Sequence, residues 1–117
     1  MNTAINNLEW IKELPYAVTV CDNAGTIIYM NDRAAMTFAK YGDSLIGQSL
    51  FECHGERSSE MIRKMLSDGS SNSYTIEKAG VKKLIHQSPW YKDGKVAGLV
   101  ELSIIIPMEM PHFVREA

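Results

Sequence analysis

Cys53 and His54 stand side by side, and no other neighbouring pair in the chain offers ligand chemistry of this kind. A thiolate or an imidazole beside a pocket could hold haem iron, which proteins ligate through a proximal His or Cys. Two adjacent residues do not set a metal geometry by themselves, and a closed zinc site takes four ligands, usually in spaced pairs. His86 and His112 lie far along the sequence, and Cys21 stands in an apolar run. The pattern therefore reads His54 as a locally hydrogen-bonded loop residue, and no metal site is expected. Cys53 becomes redox-responsive only where His54 or Arg57 favours its thiolate, the reactive form. Glu52, Glu56, Arg57, Glu60 and Arg63 place carboxylates and bases at helical spacing, which reads as a solvated, ion-paired surface. The sequence holds no Ser/His/Asp order, glycine-rich phosphate loop or metalloprotease motif, and no enzymatic activity is expected.

The elements that must position these residues can be read in order. Ile5, Leu8 and Ile11, with Trp10 and Leu14 nearby, suit an amphipathic helix over residues 3–13, which Pro15 stops near Leu14. That apolar stripe is a candidate two-fold dimer interface. Tyr16–Cys21 and Thr26–Met30 read as strands joined by an Asp22-Asn23-Ala24-Gly25 turn. Asn31 is a favoured helix N-cap with Asp32 in the first turn, opening a helix to Lys40 whose inner face is Ala34, Ala35, Phe38 and Ala39. Short helical turns are expected around Ser44–Ile46 and Leu50–Cys53. A longer helix over Ser58–Ser67 follows, capped by Ser58 or Ser59, with Met61, Ile62, Met65 and Leu66 as its apolar stripe. Three strands close the chain: Asn72–Lys78, an Ala79-Gly80 turn, Val81–Tyr91, an Asp-Gly hairpin, and Lys95–Ile106 ended by Pro107. The tail MEMPHFVREA could add a helical turn after Pro111.

A chain of 117 residues, 45% hydrophobic and 22% charged, is one domain with a core of its own. A formal net charge of −2 makes no electrostatic case for nucleic acid or a membrane surface, and no nucleic-acid or membrane partner is expected. No apolar run approaches the ~20 residues of a membrane helix. The N-terminus carries Asn, Glu and Lys throughout and is not a signal peptide, so the expected location is cytoplasmic, with both thiols free.

The order of strand, Asp-Asn-Ala-Gly turn, strand and Asn-capped helix resembles the opening of a PAS domain, a bacterial sensory and interaction module. Leu45-Ile46-Gly47-Gln48-Ser49-Leu50-Phe51 and Lys92-Asp93-Gly94-Lys95-Val96-Ala97-Gly98 extend the likeness over Leu14–Ile106. The resemblance implies an α+β fold, a five-stranded antiparallel sheet with its first strands beside the last and helices packed on one face. Residues 1–13 and 107–117 then flank a PAS-like domain over 14–106. The Cys-His pair gives a looser similarity to PAS modules found with hemerythrin-like domains. In haem-binding PAS domains the ligating His lies in the long helix, where Ser58 or its neighbour stands here. Blue-light PAS domains carry their flavin-reactive Cys just after the Gly step. Gln48-Ser49-Leu50-Phe51 occupies that place with Cys53 displaced, so covalent flavin photochemistry is not expected. Many PAS domains end in an Asp-Ile-Thr triad leading to a signalling helix, and Ile104-Ile105-Ile106-Pro107-Met108 departs from it.

The function so implied is signal sensing through a small ligand or cofactor, with protein–protein interaction as the output. A ligand-free homodimerisation module is the alternative from a different class, and a haem-based gas or redox sensor a third. Candidate pocket residues are Met36, Phe38, Leu50, Cys53, His54, Met61, Ile62, Met65, Ile85, Gln87 and Leu99; the candidate interface is Ile5, Leu8 and Ile11. The methionines would give a cavity an adaptable lining. His86, if it faces inward, would bond a polar ligand group, and otherwise a neighbour on its own strand face.

Overall fold

The computed structural model describes residues 8–37, 45–53 and 55–117, Cys53 by its backbone alone. Ile5, Phe38 and His54 lie outside the described residues, as does the Cys53 side chain. The elements are α1 (Glu9–Lys12), β1 (Ala17–Asp22), β2 (Ile27–Met30), α2 (Asp32–Thr37), α3 (Leu50–Cys53), α4 (Glu56–Asp68), β3 (Asn72–Lys78), β4 (Val81–Lys92) and β5 (Lys95–Ile106). The strands form one antiparallel sheet in the order β2-β1-β5-β4-β3. The first hairpin thus lies beside the last strand, as the resemblance implies.

Local chemistry sets each joint. Asp22 turns the first hairpin, its Oδ1 accepting from the backbone N–H of Ala24 at 2.9 Å and of Thr26 at 3.0 Å. Gly25 completes the turn at φ 83°, and Phe51 of α3 lies where a β-carbon would stand. The glycine therefore serves both backbone and packing. Residues 45–50 then strap the free edge of β2. Gly47 N–H donates to the Ile27 carbonyl at 2.7 Å, Ile27 N–H to Gln48 at 2.8 Å and Leu50 N–H to Gly25 at 2.8 Å. The Leu-x-Gly step is thus a clasp that closes a sheet edge. The last two hairpins turn on Ala79-Gly80 and Asp93-Gly94, all four at positive φ, the geometry that follows the sheet's twist. β3 ends at Asn72 opposite Gln87, so β4 is an edge strand from Ser88 onward and tolerates Pro89.

Asn31 ties the N-terminal half together from a fully buried position. Its Oδ1 accepts from Ala34 N–H, capping α2, and from Val18 N–H of β1, both at 3.0 Å. Its Nδ2 donates to the Ile11 carbonyl at 3.0 Å and the Tyr16 carbonyl at 2.9 Å. The cap expected from sequence is thus also the joint between α1, β1 and α2.

Two apolar clusters fill the space between sheet and helices. Ala17, Ile27, Met30, Ala34 and Leu45 form one, and Cys21, Ile62, Met65 and Leu99 the other, with Leu50 packed against both. At the far side, Trp90 of β4 crosses β5 to donate its indole N–H to the Cys21 carbonyl of β1 at 2.9 Å. It passes over Gly98, where any β-carbon would collide with the Cys21 carbonyl.

Of the helix expected over residues 3–13, residues 3–7 lie outside the described residues; the described turn ends at Lys12, with Ile11 half-buried and Leu8 and Trp10 exposed. Other expectations need correction. α4 begins at Glu56, two residues early, with Gly55 and not a serine at its N-cap. Ala35 is exposed, and in α2 only Ala34 is buried. Residues 107–117 form no helical turn: the chain bends at Met108 and Glu109 and is exposed throughout, so no packed face holds a turn that is too short to be stable alone.

Candidate functional site

One polar row crosses the part of the sheet that lies beneath α4. Thr19 of β1 pairs with Glu101 of β5, Glu101 with Gln87 of β4, and Gln87 with Asn72 of β3. Register therefore lines four polar side chains straight across four strands. They are wired together: Asn72 Nδ2 donates to Gln87 Oε1 at 3.0 Å, and Gln87 Nε2 to Glu101 Oε2 at 2.8 Å. Polar groups in such a place are retained only where they are satisfied or used, because their burial otherwise costs free energy. The Glu101 carboxylate ends the relay, with one oxygen engaged by Gln87.

Above this row lies a cleft in two parts. The inner part is a cavity of about 40 Å³ among Ile27, Met30, Leu45, Leu50, Ile62 and Leu99, with Thr19, Gln87 and Glu101 on its floor. The outer part is a groove of about 410 Å³ between α4 and the sheet, lined by Arg57, Ser58, Met61 and Ile62 on one side and Asn72, Tyr74, Gln87 and Glu101 on the other. Ile62, Gln87 and Glu101 line both, so the groove leads onto the cavity. Tyr74 is pushed up by burial and by the nearby Glu101 charge, so its phenol is a neutral donor at pH 7.

Of the residues singled out from sequence, Leu50, Ile62, Gln87 and Leu99 line the cavity, and Met61 the groove. Met65 is buried in the cluster beneath, and Ile85 is buried in the sheet without lining either space. Met36 is not at the site: it is 69% exposed, two residues past buried Ala34 and therefore on the opposite face of α2. Phe38, His54 and the Cys53 side chain fall outside the described residues. His86 faces away from the helices, its Nδ1 2.6 Å from Ser73 Oγ, and so finds the neighbour on its own strand face.

Thr19, Asn72, Arg57, Ser58 and Glu101 were not among the sequence candidates. Glu101 carried a signal, being the single charge between Val96 and Ile106. Arg57, read as ion-paired surface, instead lines the groove, and among the described residues the ion pairs are Lys12–Asp32 and Lys64–Asp68. Arg63 stacks 4.6 Å over the Phe51 ring.

The cavity of about 40 Å³ is far smaller than a macrocycle, and among the described residues no imidazole lines cavity or groove; His54 and the Cys53 side chain, the candidate iron ligands, lie outside the described residues. Burial pushes the Cys21 thiol up against a smaller opposing backbone hydrogen bond from Leu99, so it stays protonated near neutrality. No group of three or more His, Cys, Asp or Glu is placed to hold a metal among the described residues. No described helix is long and apolar enough to cross a membrane.

Comparison with known proteins places this geometry. The chain is similar in fold to the VqmA dimer of Vibrio cholerae, a structure described in the absence of target DNA and in terms of the DNA-binding mechanisms of LuxR-type receptors, at a TM-score of 0.70 and 17% identity, over 99% of this chain and 59% of that one. A VqmA chain bound to DPO matches at a TM-score of 0.69 and 17% identity, over 89% of this chain and 58% of that one. A sensory box sensor histidine kinase from Vibrio cholerae matches at a TM-score of 0.63 and 15% identity, over 86% and 89%. The chain thus spans about three-fifths of the length of the VqmA chains. None of the curated proteins matches it significantly in sequence. A family model described as PAS fold matches residues 11–106, which contain the sheet, α4, the clasp and the whole cleft: the chain belongs to the PAS fold family.

Proposed function

We propose that this chain is a sensory module of signal transduction that binds a small molecule in the cleft between α4 and the polar row. The row carries this reading: Thr19, Glu101, Gln87 and Asn72 are aligned across four strands, beneath the groove that stands open between α4 and the sheet. Ligand sites are apolar hollows with a few convergent polar groups, and this cleft has that composition. The role proposed is binding, which an apolar hollow with a few convergent polar groups supports.

The closed cavity, about 40 Å³, is well below the ~150 Å³ that admits benzene. A ring-sized ligand must therefore use the groove or move α4 outward. Occupancy then shifts α4 relative to the sheet, provided the ligand binds the open arrangement more tightly than the closed one. VqmA, a dimer that acts with target DNA, supports a reading in which such a shift is passed to an attached or partner protein. It also removes the ground for excluding nucleic acid from the wider assembly on charge alone. A dimer in a cytoplasmic setting is the assembly we propose, with exposed Leu8 and Trp10 as contact residues in place of the Ile5/Leu8/Ile11 stripe.

Native mass spectrometry of freshly purified protein, then of protein incubated with pooled metabolites, tests the reading. The expected result is a small molecule retained by the wild type and lost in Ile62→Trp, which fills the cleft. A chain that stays bare under both conditions contradicts it.

A further inference from the structure

Two opposite charges line the groove without meeting. Arg57 stands on the α4 wall and Glu101 on the sheet floor, and no ion pair joins them. Among the described residues no hydrogen bond or ion pair is formed by the Arg57 guanidinium, and the Glu101 carboxylate is held only by Gln87. Ser58 and Tyr74 add hydroxyls on the same two walls, and the aliphatic cavity opens from the end where Ile62 and Glu101 stand. We propose, resting on the sensory reading above, that the ligand class is a short-chain aliphatic α-amino acid. Its carboxylate lies against Arg57 and Ser58, its ammonium against Glu101, and its side chain in the cavity.

The chemistry favours a zwitterion over a singly charged or neutral molecule. Arg57 is exposed on the groove rim and Glu101 half-buried with one oxygen held by Gln87, and a zwitterion is the charge type that sets an opposite charge against each. An anion would meet Glu101, and a cation would meet Arg57. Charge-assisted hydrogen bonds at both ends satisfy both walls. Size points the same way: about 40 Å³ gives room for roughly two carbons, against ~150 Å³ for a six-carbon ring. A branched aliphatic side chain enters with a small outward movement of α4, whereas an aromatic side chain needs a large one. The Asn72–Gln87–Glu101 relay fixes the carboxylate toward the groove, so the ammonium site is built before the ligand arrives.

Isothermal titration of the full chain with L-valine, isobutylamine (no carboxylate) and 3-methylbutanoic acid (no ammonium) is the test. L-valine should bind, and each analogue at least tenfold more weakly. Glu101→Gln keeps an acceptor for Gln87 but removes the charge. It should weaken L-valine at least tenfold while leaving the circular dichroism unchanged, and Arg57→Met should do the same. Absence of L-valine binding, or analogues binding as well as L-valine, overturns the zwitterion assignment, and the wild-type comparison decides this even if a variant misfolds. If another compound is retained in the cleft, the sensory reading stands while this assignment falls. If the cleft takes up nothing, both fall.

Discussion

Asn31 shows how much a single side chain carries. Four hydrogen bonds converge on one buried amide, joining the α1 carbonyl of Ile11, the start of β1 at Tyr16 and Val18, and the first turn of α2. Asn31→Ala leaves two N–H donors and two carbonyls without that partner. It should cost about 3 kcal/mol in urea unfolding, more than a simple cap, which is worth ~1 kcal/mol. Asn31→Asp keeps the two acceptor bonds and loses the two donor bonds, and should fall between. The cap was legible because capping is local, three residues long, and has a residue preference. The bonds to Ile11 and Tyr16 were not, since they depend on where the chain returns. Glu101 was missed for a related reason: β5 is apolar on both faces, so alternation does not say which way a lone charge points.

Cys21 makes the pH prediction at the same scale. Its thiol is raised in the folded chain above an ordinary 9.0, mainly by burial. The folded state therefore holds the proton more tightly than the unfolded chain. Its contribution is fully present below the unfolded pKa and is lost as pH rises through it toward the folded one. Unfolding free energy should fall between pH 8 and pH 10 more steeply in the wild type than in Cys21→Ala, although the variant is less stable at pH 7. Parallel curves would show that the thiol is not the titrating group.

Elements were the most legible level, and hairpins most of all. Asp-Gly and Ala-Gly turns announced β3, β4 and β5 to within a residue, because each turn type demands particular backbone angles. The amphipathic stripe of α4 was legible in outline. Its pattern of Met61, Ile62, Met65 and Leu66 spans more than one face, so Met61 falls on the groove rim, 41% exposed, while Ile62 and Met65 are buried. What no periodicity displays is the close crossing at Gly98, which depends on Trp90 reaching over one strand to bond the next. Gly98→Ala should destabilise by about 3 kcal/mol or more, because backbone and not a flexible side chain stands in the way. Trp90→Phe, which keeps the ring and loses the indole donor, should cost about 1 kcal/mol. Chemical denaturation of the two variants compares them directly, and equal losses would mean that the crossing is not set by Gly98.

At the scale of the molecule, sheet order followed from the family resemblance, since strand patterns alone do not say which strands pair. The site was only partly legible: Leu50, Ile62, Gln87 and Leu99 emerged as one end of a cleft, and its polar floor did not. Register is what created that floor, and register is a property of the whole sheet. The assembly has its own test. Leu8 and Trp10 are 51% and 58% exposed, large apolar side chains on the outside of α1. Leu8→Glu with Trp10→Glu should halve the mass seen by light scattering while Asn31 still holds Ile11. An unchanged dimer would place the interface elsewhere.

Methyl-resolved NMR during titration with the pooled metabolites tests the central claim most directly, because it reports uptake and location together. Saturable shifts are expected at the Ile27, Leu50, Ile62 and Leu99 methyls and at the Gln87 side-chain amide, abolished by Ile62→Trp. Shifts confined to Ile76, Val81 and Ile105 at the other end of the sheet, or no shifts at all, would contradict it.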